Sequence, residues 1–335
     1  MKLRQIEIVI PEEDTASCKE LLSDDSVIHY WQDHSESSGF LLKVLVSATN
    51  TEQFLDKAEQ LFGSREGFRL VMVSVEASLP RIEESSDKEE EEKTGGPEKE
   101  KIQGLRVSRE ELYSDISHAS ELTTVYMALV VLSTIVAALG VLRDSTAVVV
   151  GAMVIAPLLG PNVGLALSST LADFKLGMDS IKSNFAGLLT ALLIAIALGA
   201  MMTVDTELYH IASRTEVHLS DIALALASGS AGVLAYTVGM STAVIGVMVA
   251  VALLPPLVVA GLLVGDMQFD LAFYAFLLTL TNVICVNLAG VATFILQGVR
   301  PRTWYETKQA KKVNRIALTI WISLVIMLAI LIYYS

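Results

Sequence analysis

STAVVVGAMVIAPLLGP, residues 145–161, returns as STAVIGVMVAVALLPP, residues 241–256, one residue shorter. Ser145-Thr146-Ala147-Val148 matches Ser241-Thr242-Ala243-Val244. Gly151-Ala152-Met153-Val154 matches Gly246-Val247-Met248-Val249, and Leu158-Leu159-Gly160-Pro161 matches Leu253-Leu254-Pro255-Pro256. In the next apolar run, Asn184-Phe185-Ala186-Gly187 with Thr190 parallels Asn287-Leu288-Ala289-Gly290 with Thr293. Apolar vocabularies are small, so one such match is weak. Two matches in the same order and in equivalent runs mark an internal repeat.

About 20 apolar residues cover the hydrocarbon core of a bilayer. Runs of that kind lie at 122–142, 145–171, 183–203, 221–238, 240–264, 271–297 and 316–333. Three fall in each copy of the repeat, 121–204 and 221–298, and a C-terminal helix occupies 316–335. A unit with an odd number of crossings begins on opposite sides of the membrane in its two copies, which is the inverted-repeat architecture of many secondary transporters. Were 145–171 re-entrant, that parity would change. The fold class expected is therefore a polytopic α-helical membrane protein, about seven spans with two inverted three-helix repeats, plus an N-terminal ferredoxin-like α/β domain. With the N-terminus in the cytoplasm, the cytoplasmic side holds Arg106, Arg109, Lys175, Lys182 and six cations from Arg300 to Arg315, and the far side only Arg143 and Arg214. That bias orients the chain as a multi-pass inner (plasma) membrane protein with its C-terminus outside.

Charge divides the chain in the same way. Residues 1–120 hold 26 of the 37 acids and 14 of the 24 Lys and Arg, a net −12, and the remainder is close to neutral. The acidic balance argues against nucleic acid as a partner. Two cysteines, Cys18 and Cys285, allow no disulfide framework and no metal-thiolate spacing. The start, MKLRQIEIVIPEED, has too short an apolar stretch for a signal peptide.

Within 1–80, alternation predicts strands at 2–10, 26–33, 40–47 and 68–78, with helices to about Leu22 and over 52–62. The order is βαββαβ, the split-βαβ or ferredoxin-like arrangement. His29 and His34 beside the second strand read as exposed strand residues rather than ligands. Residues 81–103 form an acidic tether too poor in apolar residues to fold alone. A connecting amphipathic helix follows over 104–120, where Ser108 and Glu111 make a capping box.

The repeated motif is also where helices are expected to break. Pro157 and Pro161, and Pro255 and Pro256, remove backbone donors, and broken backbone at membrane depth must line protein or a wet cavity. Paired interruptions point to a central site near the midplane. The substrate or ion pathway is accordingly assigned to Pro157, Gly160, Pro161, Asn162, Asn184, Gly187, Pro255, Pro256, Asn287 and Gly290, with Ser168, Ser169, Thr190 and Thr293 as further polar groups. The plainer reading is that the prolines kink helices and the asparagines bind neighbouring ones. No cofactor, no metal and no catalytic residue is expected. HExxH is missing, Val264-Gly265-Asp266 lacks the first glycine of an intramembrane aspartyl protease, and Ser228-Gly229-Ser230-Ala231-Gly232 misses GxSxG.

SREELYSDI (108–116), GAMVIAPLLGPNVGLAL (151–167) and LLPP (253–256) together resemble a prokaryotic membrane family named for an uncharacterised hydrophobic domain, a domain of unknown function. The resemblance covers about 105–300. It implies a polytopic membrane protein and leaves the substrate open.

The function expected is a membrane transporter or channel for a small solute or ion, regulated by the cytosolic head. The alternative is a non-transporting membrane sensor or scaffold whose head binds a ligand or partner. No Asp, Glu, Lys or Arg lies deep in the proposed spans, which disfavours a carboxylate-coupled proton pump. Partners expected are membrane lipid and the small solute or ion. Gly160-xxx-Gly164 and Gly261-xxx-Gly265 allow close helix approach, the basis for expecting a homo-oligomer.

Overall fold

The computed structural model describes residues 3–10, 15–24, 26–35, 39–47, 50–75, 107–240, 242–300 and 304–334; the tether lies outside them, as do the side chains of 15–16, 34–35 (and so His34), 39, 242–252, 304–312 and 333–334. The chain divides into two units, Met1–Glu111 and Leu112–Ser335.

In the first unit the strands are β1 (Leu3–Ile10), β2 (Val27–Ser35), β3 (Gly39–Ser47) and β4 (Arg69–Val75), with helices α1 (Thr15–Leu22) and α2 (Thr51–Phe62). The sheet order is β2-β3-β1-β4 and every neighbouring pair is antiparallel. Each βαβ crossover skips one strand, as the split-βαβ order requires. Alternation decides the faces: Ile6, Ile8 and Ile10 are buried, while Glu7 and Val9 between them are half-buried. Ile6 and Ile8 lie opposite Val44 and Leu42. Phe54, Ala58 and Phe62, four residues apart on α2, pack into the same core. On the other face Lys43 pairs with Glu7 at 3.3 Å, and His29 meets Trp31 edge-on.

Helix α3 (Arg109–Ala119) opens on half of the expected capping box. The Glu111 amide donates to Ser108 Oγ at 3.2 Å. The Glu111 carboxylate does not return to the cap, because the buried Arg4 guanidinium takes both its oxygens, the closest contact being 2.7 Å. A charged bidentate pair outcompetes a single amide. Arg109, also buried, reaches Asp56 at 3.0 Å and Glu110 at 2.8 Å.

The second unit holds α4 (Thr124–Leu142), α5 (Thr146–Ile155), α6 (Leu159–Leu171), α7 (Phe174–Met201), α8 (Tyr209–Thr215), α9 (Leu219–Thr237), α10 (Thr242–Gly265), α11 (Phe269–Leu296) and α12 (Trp304–Tyr334). Among the described residues, α4, α7, α9, α11 and the stretch Val313–Ile332 of α12 are long and apolar enough to cross a membrane; α5 with α6 makes a sixth if that bent pair counts as one span. Helix α7 starts nine residues earlier than the apolar run. Asp173 caps it, accepting from the Lys175 and Leu176 amides at 3.0 Å, so the charged turn around Lys175 and Lys182 is helix rather than loop. The connection 204–220 likewise contains α8.

Two of the expected breaks separate here. In the first copy the helix stops at Ile155, resumes at Leu159 and bends by 50°. Pro157 cannot donate to the Met153 carbonyl and sits at that break. Pro161 is only the third residue of α6, where a missing N–H costs nothing. In the second copy the expectation of a break is wrong: Pro255 and Pro256 lie inside one continuous α10. Packing holds it there. Gly261 rests on Leu192 and Ala195, and Gly265 on Ile196 and Ala200, all of α7. Proline in such a helix is tolerated where neighbours fix the backbone.

Candidate functional site

The motifs place polar residues where helices cross. Asn162 is the fourth residue of α6, one turn past the break. Asn184 lies near the middle of α7 and Asn287 deep in α11. Helix α6 packs on both α7 and α11, and the three side chains meet. Asn184 Nδ2 and Asn287 Nδ2 each donate to Asn162 Oδ1 at 2.9 Å. Asn162 Nδ2 donates to the Leu158 carbonyl and Asn287 Nδ2 to the Val283 carbonyl, both at 2.8 Å. Those two carbonyls can only accept, so they fix which way the amides face. Asn162 and Asn287 are wholly buried and Asn184 is 8% exposed.

The network is incomplete. Among the described residues, no group donates to Asn184 Oδ1 or Asn287 Oδ1. One turn before Asn184, the buried Ser180 hydroxyl is also without a partner; it lies against Gly164 of α6. Among the described residues, no ionisable side chain hydrogen-bonds the three asparagines.

A second set of contacts holds α7 in place. Tyr126 Oη donates to the Ser183 carbonyl at 2.9 Å, Ser183 Oγ to the Ser120 carbonyl at 2.7 Å, and Ser120 Oγ to the Ile116 carbonyl at 2.7 Å, with the Gly160 carbonyl at 3.1 Å. The glycines make room. A Cβ on Gly160 would strike the Ala119 backbone, one on Gly187 the Tyr126 hydroxyl, and one on Gly290 the Ala166 side chain. Both Gly-xxx-Gly pairs thus face helices of the same chain, which removes the ground on which they pointed to a second copy. Pro255 and Pro256 are buried in α10 and stand apart from the asparagines' hydrogen bonds. Ser168, Ser169 and Thr293 bond back to their own helices.

Sequence reading missed Ser120, Ser180, Ser183 and Tyr126. It also missed a cluster beside the α7–α9 connection. There, buried His210 meets Thr146 Oγ1 through Nε2 at 3.1 Å, and its amide donates to Asp144. Arg214 lies 3.2 Å from His210 Nδ1. Arginine only donates, so Nδ1 is unprotonated and Nε2 carries the hydrogen. Burial, then Arg214, pushes the His210 pKa down.

A helical bundle with large apolar side chains facing outward, among them Phe174, Phe185, Leu193 and Leu296, and polar groups at its centre is a membrane protein. The chain belongs to the family described as Domain of unknown function (DUF389), whose model matches residues 153–288. It is 35% identical over 336 residues to an uncharacterised protein of Methanocaldococcus jannaschii, covering 100% of each chain. No solved structure matches it.

Proposed function

We propose that this protein is a transporter or channel for a small solute or ion, with the three asparagines as its central site and the N-terminal head as regulator. The observation that carries this reading is the meeting of Asn184 and Asn287 on one oxygen. These two residues are equivalents in the internal repeat, so the two halves converge at one buried polar point. Counting the bent pair and the 24-residue α10, about 36 Å long, as one span each gives seven. Three then fall in each copy, and the copies are inverted. The packing supports the exchange of halves: α7 rests on α10 as α11 rests on α6, and α4 meets α7 as α9 meets α11. On this reading the protein crosses the inner membrane with its head in the cytoplasm and its C-terminus outside.

Full-length protein in sealed vesicles tests it. Flux above that of empty vesicles is expected, and Asn162→Leu should abolish it while leaving the helical circular dichroism intact. Flux unaltered by Asn162→Leu would remove the asparagines from the pathway. A second reading, a ligand-binding sensor without transport, is favoured by a pocket of about 430 Å³ in the head, lined by Lys19, Ser23, Tyr30, Gln32 and Phe40. Ligand-dependent protection of the head without flux would support it.

A further inference from the structure

The partners the asparagines lack define what the site takes. Each amide is anchored through its nitrogen, leaving its oxygen. Given amide geometry, both oxygens lie within about 5 Å of Asn162 Oδ1. They accept and cannot donate. An anion such as a carboxylate or phosphate would face oxygen lone pairs; Asn287 Nδ2 has both hydrogens engaged, and Asn162 Nδ2 and Asn184 Nδ2 have one each engaged within the network. A divalent cation is ordinarily held by carboxylates that offset its dehydration, and among the described residues none hydrogen-bonds the asparagines. The two half-helix ends at the break, the C-terminus of α5 and the N-terminus of α6, carry dipole charges of opposite sign. They largely cancel, so the side-chain oxygens decide.

We infer that the asparagine site binds a monovalent cation, an alkali-metal ion or ammonium, through Asn184 Oδ1 and Asn287 Oδ1, with Ser180 Oγ one turn away as a further oxygen. Neutral oxygens that replace water around a singly charged ion suit passage, because binding strong enough to admit the ion still allows it to leave. The inference deepens the transport reading and rests on it for the site's place in the pathway, but binding is measured without flux.

The test is thermal unfolding of full-length protein in detergent, titrated with lithium, sodium, potassium or ammonium chloride against choline chloride at constant ionic strength. One or more of these cations should raise the Tm saturably. Asn287→Leu should weaken half-saturation at least tenfold, whereas Asn184→Asp, which places a negative charge beside the ion, should tighten it. Should Asn287→Leu fail to fold, Asn184→Asp alone decides. A Tm indifferent to the cation means that the oxygens hold a buried water only, and the inference falls. It falls equally if the shift follows the anion when chloride is exchanged for gluconate, or if Asn184→Asp leaves half-saturation unchanged. Cation-specific stabilisation without cation flux in vesicles keeps the site and overturns transport; flux of a neutral solute with no cation effect does the reverse.

Discussion

The head and the bundle solve opposite problems with the same chain. In the head the fully buried side chains are large, Phe54, Phe62, Ile6 and Ile8, and charges lie on the surface or in pairs. In the bundle the buried stripe of α7 begins with Leu176 and then reads Gly177, Ser180, Ser183, Asn184, Gly187, Ala191, Ala195, Gly199, while Phe174, Phe185 and Leu193 point outward. Water drives the first arrangement. In lipid, apolar surface gains nothing by hiding, so close backbone approach and hydrogen bonds hold helices together instead. The bundle buries large side chains as well, Leu158, Leu167 and Phe294 among them, so the contrast is sharpest along α7, where small residues face inward and large ones outward.

The contrast breaks most visibly at phenylalanine. Phe54→Ala should cost the head about 4 kcal/mol, read as lost hydrogen-exchange protection in β1 and β3. Phe185→Ala, 67% exposed, should change bundle stability by under about 0.5 kcal/mol. Equal losses would mean that α7 does not face lipid. Glycine carries the next largest effect. Gly265→Leu drives a side chain into the α7 backbone and should cost about 3 kcal/mol in detergent unfolding. Gly151→Leu meets open space and should be close to neutral. Asn162→Leu leaves two buried amides without their acceptor and should cost about 2 kcal/mol, whereas Ser183→Ala, losing one bond to Ser120, should cost about 1 kcal/mol. The smallest effect concerns pH. The folded His210 pKa lies below its ordinary value of 6.5, so the unfolded chain takes up the proton first. The stability that neutral His210 contributes is present above pH 6.5 and drains away as pH falls through the lower folded value. His210→Gln should flatten the dependence of Tm on pH in that range.

The head and most spans were legible because alternation and apolar length are local properties. The register of Ile6 with Val44 and the stripe on α2 follow from them. The start of α7 was not, because Lys175 and Lys182 look like a gap although a helix can carry charged residues beyond the apolar core. The break at Pro157 was legible; the intact helix through Pro255 and Pro256 was not, since it depends on α7 pressed against Gly261 and Gly265. Asn162, Asn184 and Asn287 stood out by composition and repeat position. That two of them donate to the third depends on the crossing of three helices, which no spacing reveals. Ser120, Ser183 and Tyr126 left no signal at all among small and apolar neighbours.

The break at Ala156–Leu158 also has a mechanical consequence. If the bend flexes, it is a fulcrum and α6 the arm. Asn162 sits about 6 Å along that arm and Leu171 about 20 Å. A swing of about 10° would move the first by about 1 Å and the far end by about 3 Å. The 3.3 Å bond from Asn314 of α12 to the Thr170 carbonyl, near the far end, would be stretched about three times as much as the bonds to Asn162. Motion of this arm would open the bundle more at its tip than at its centre.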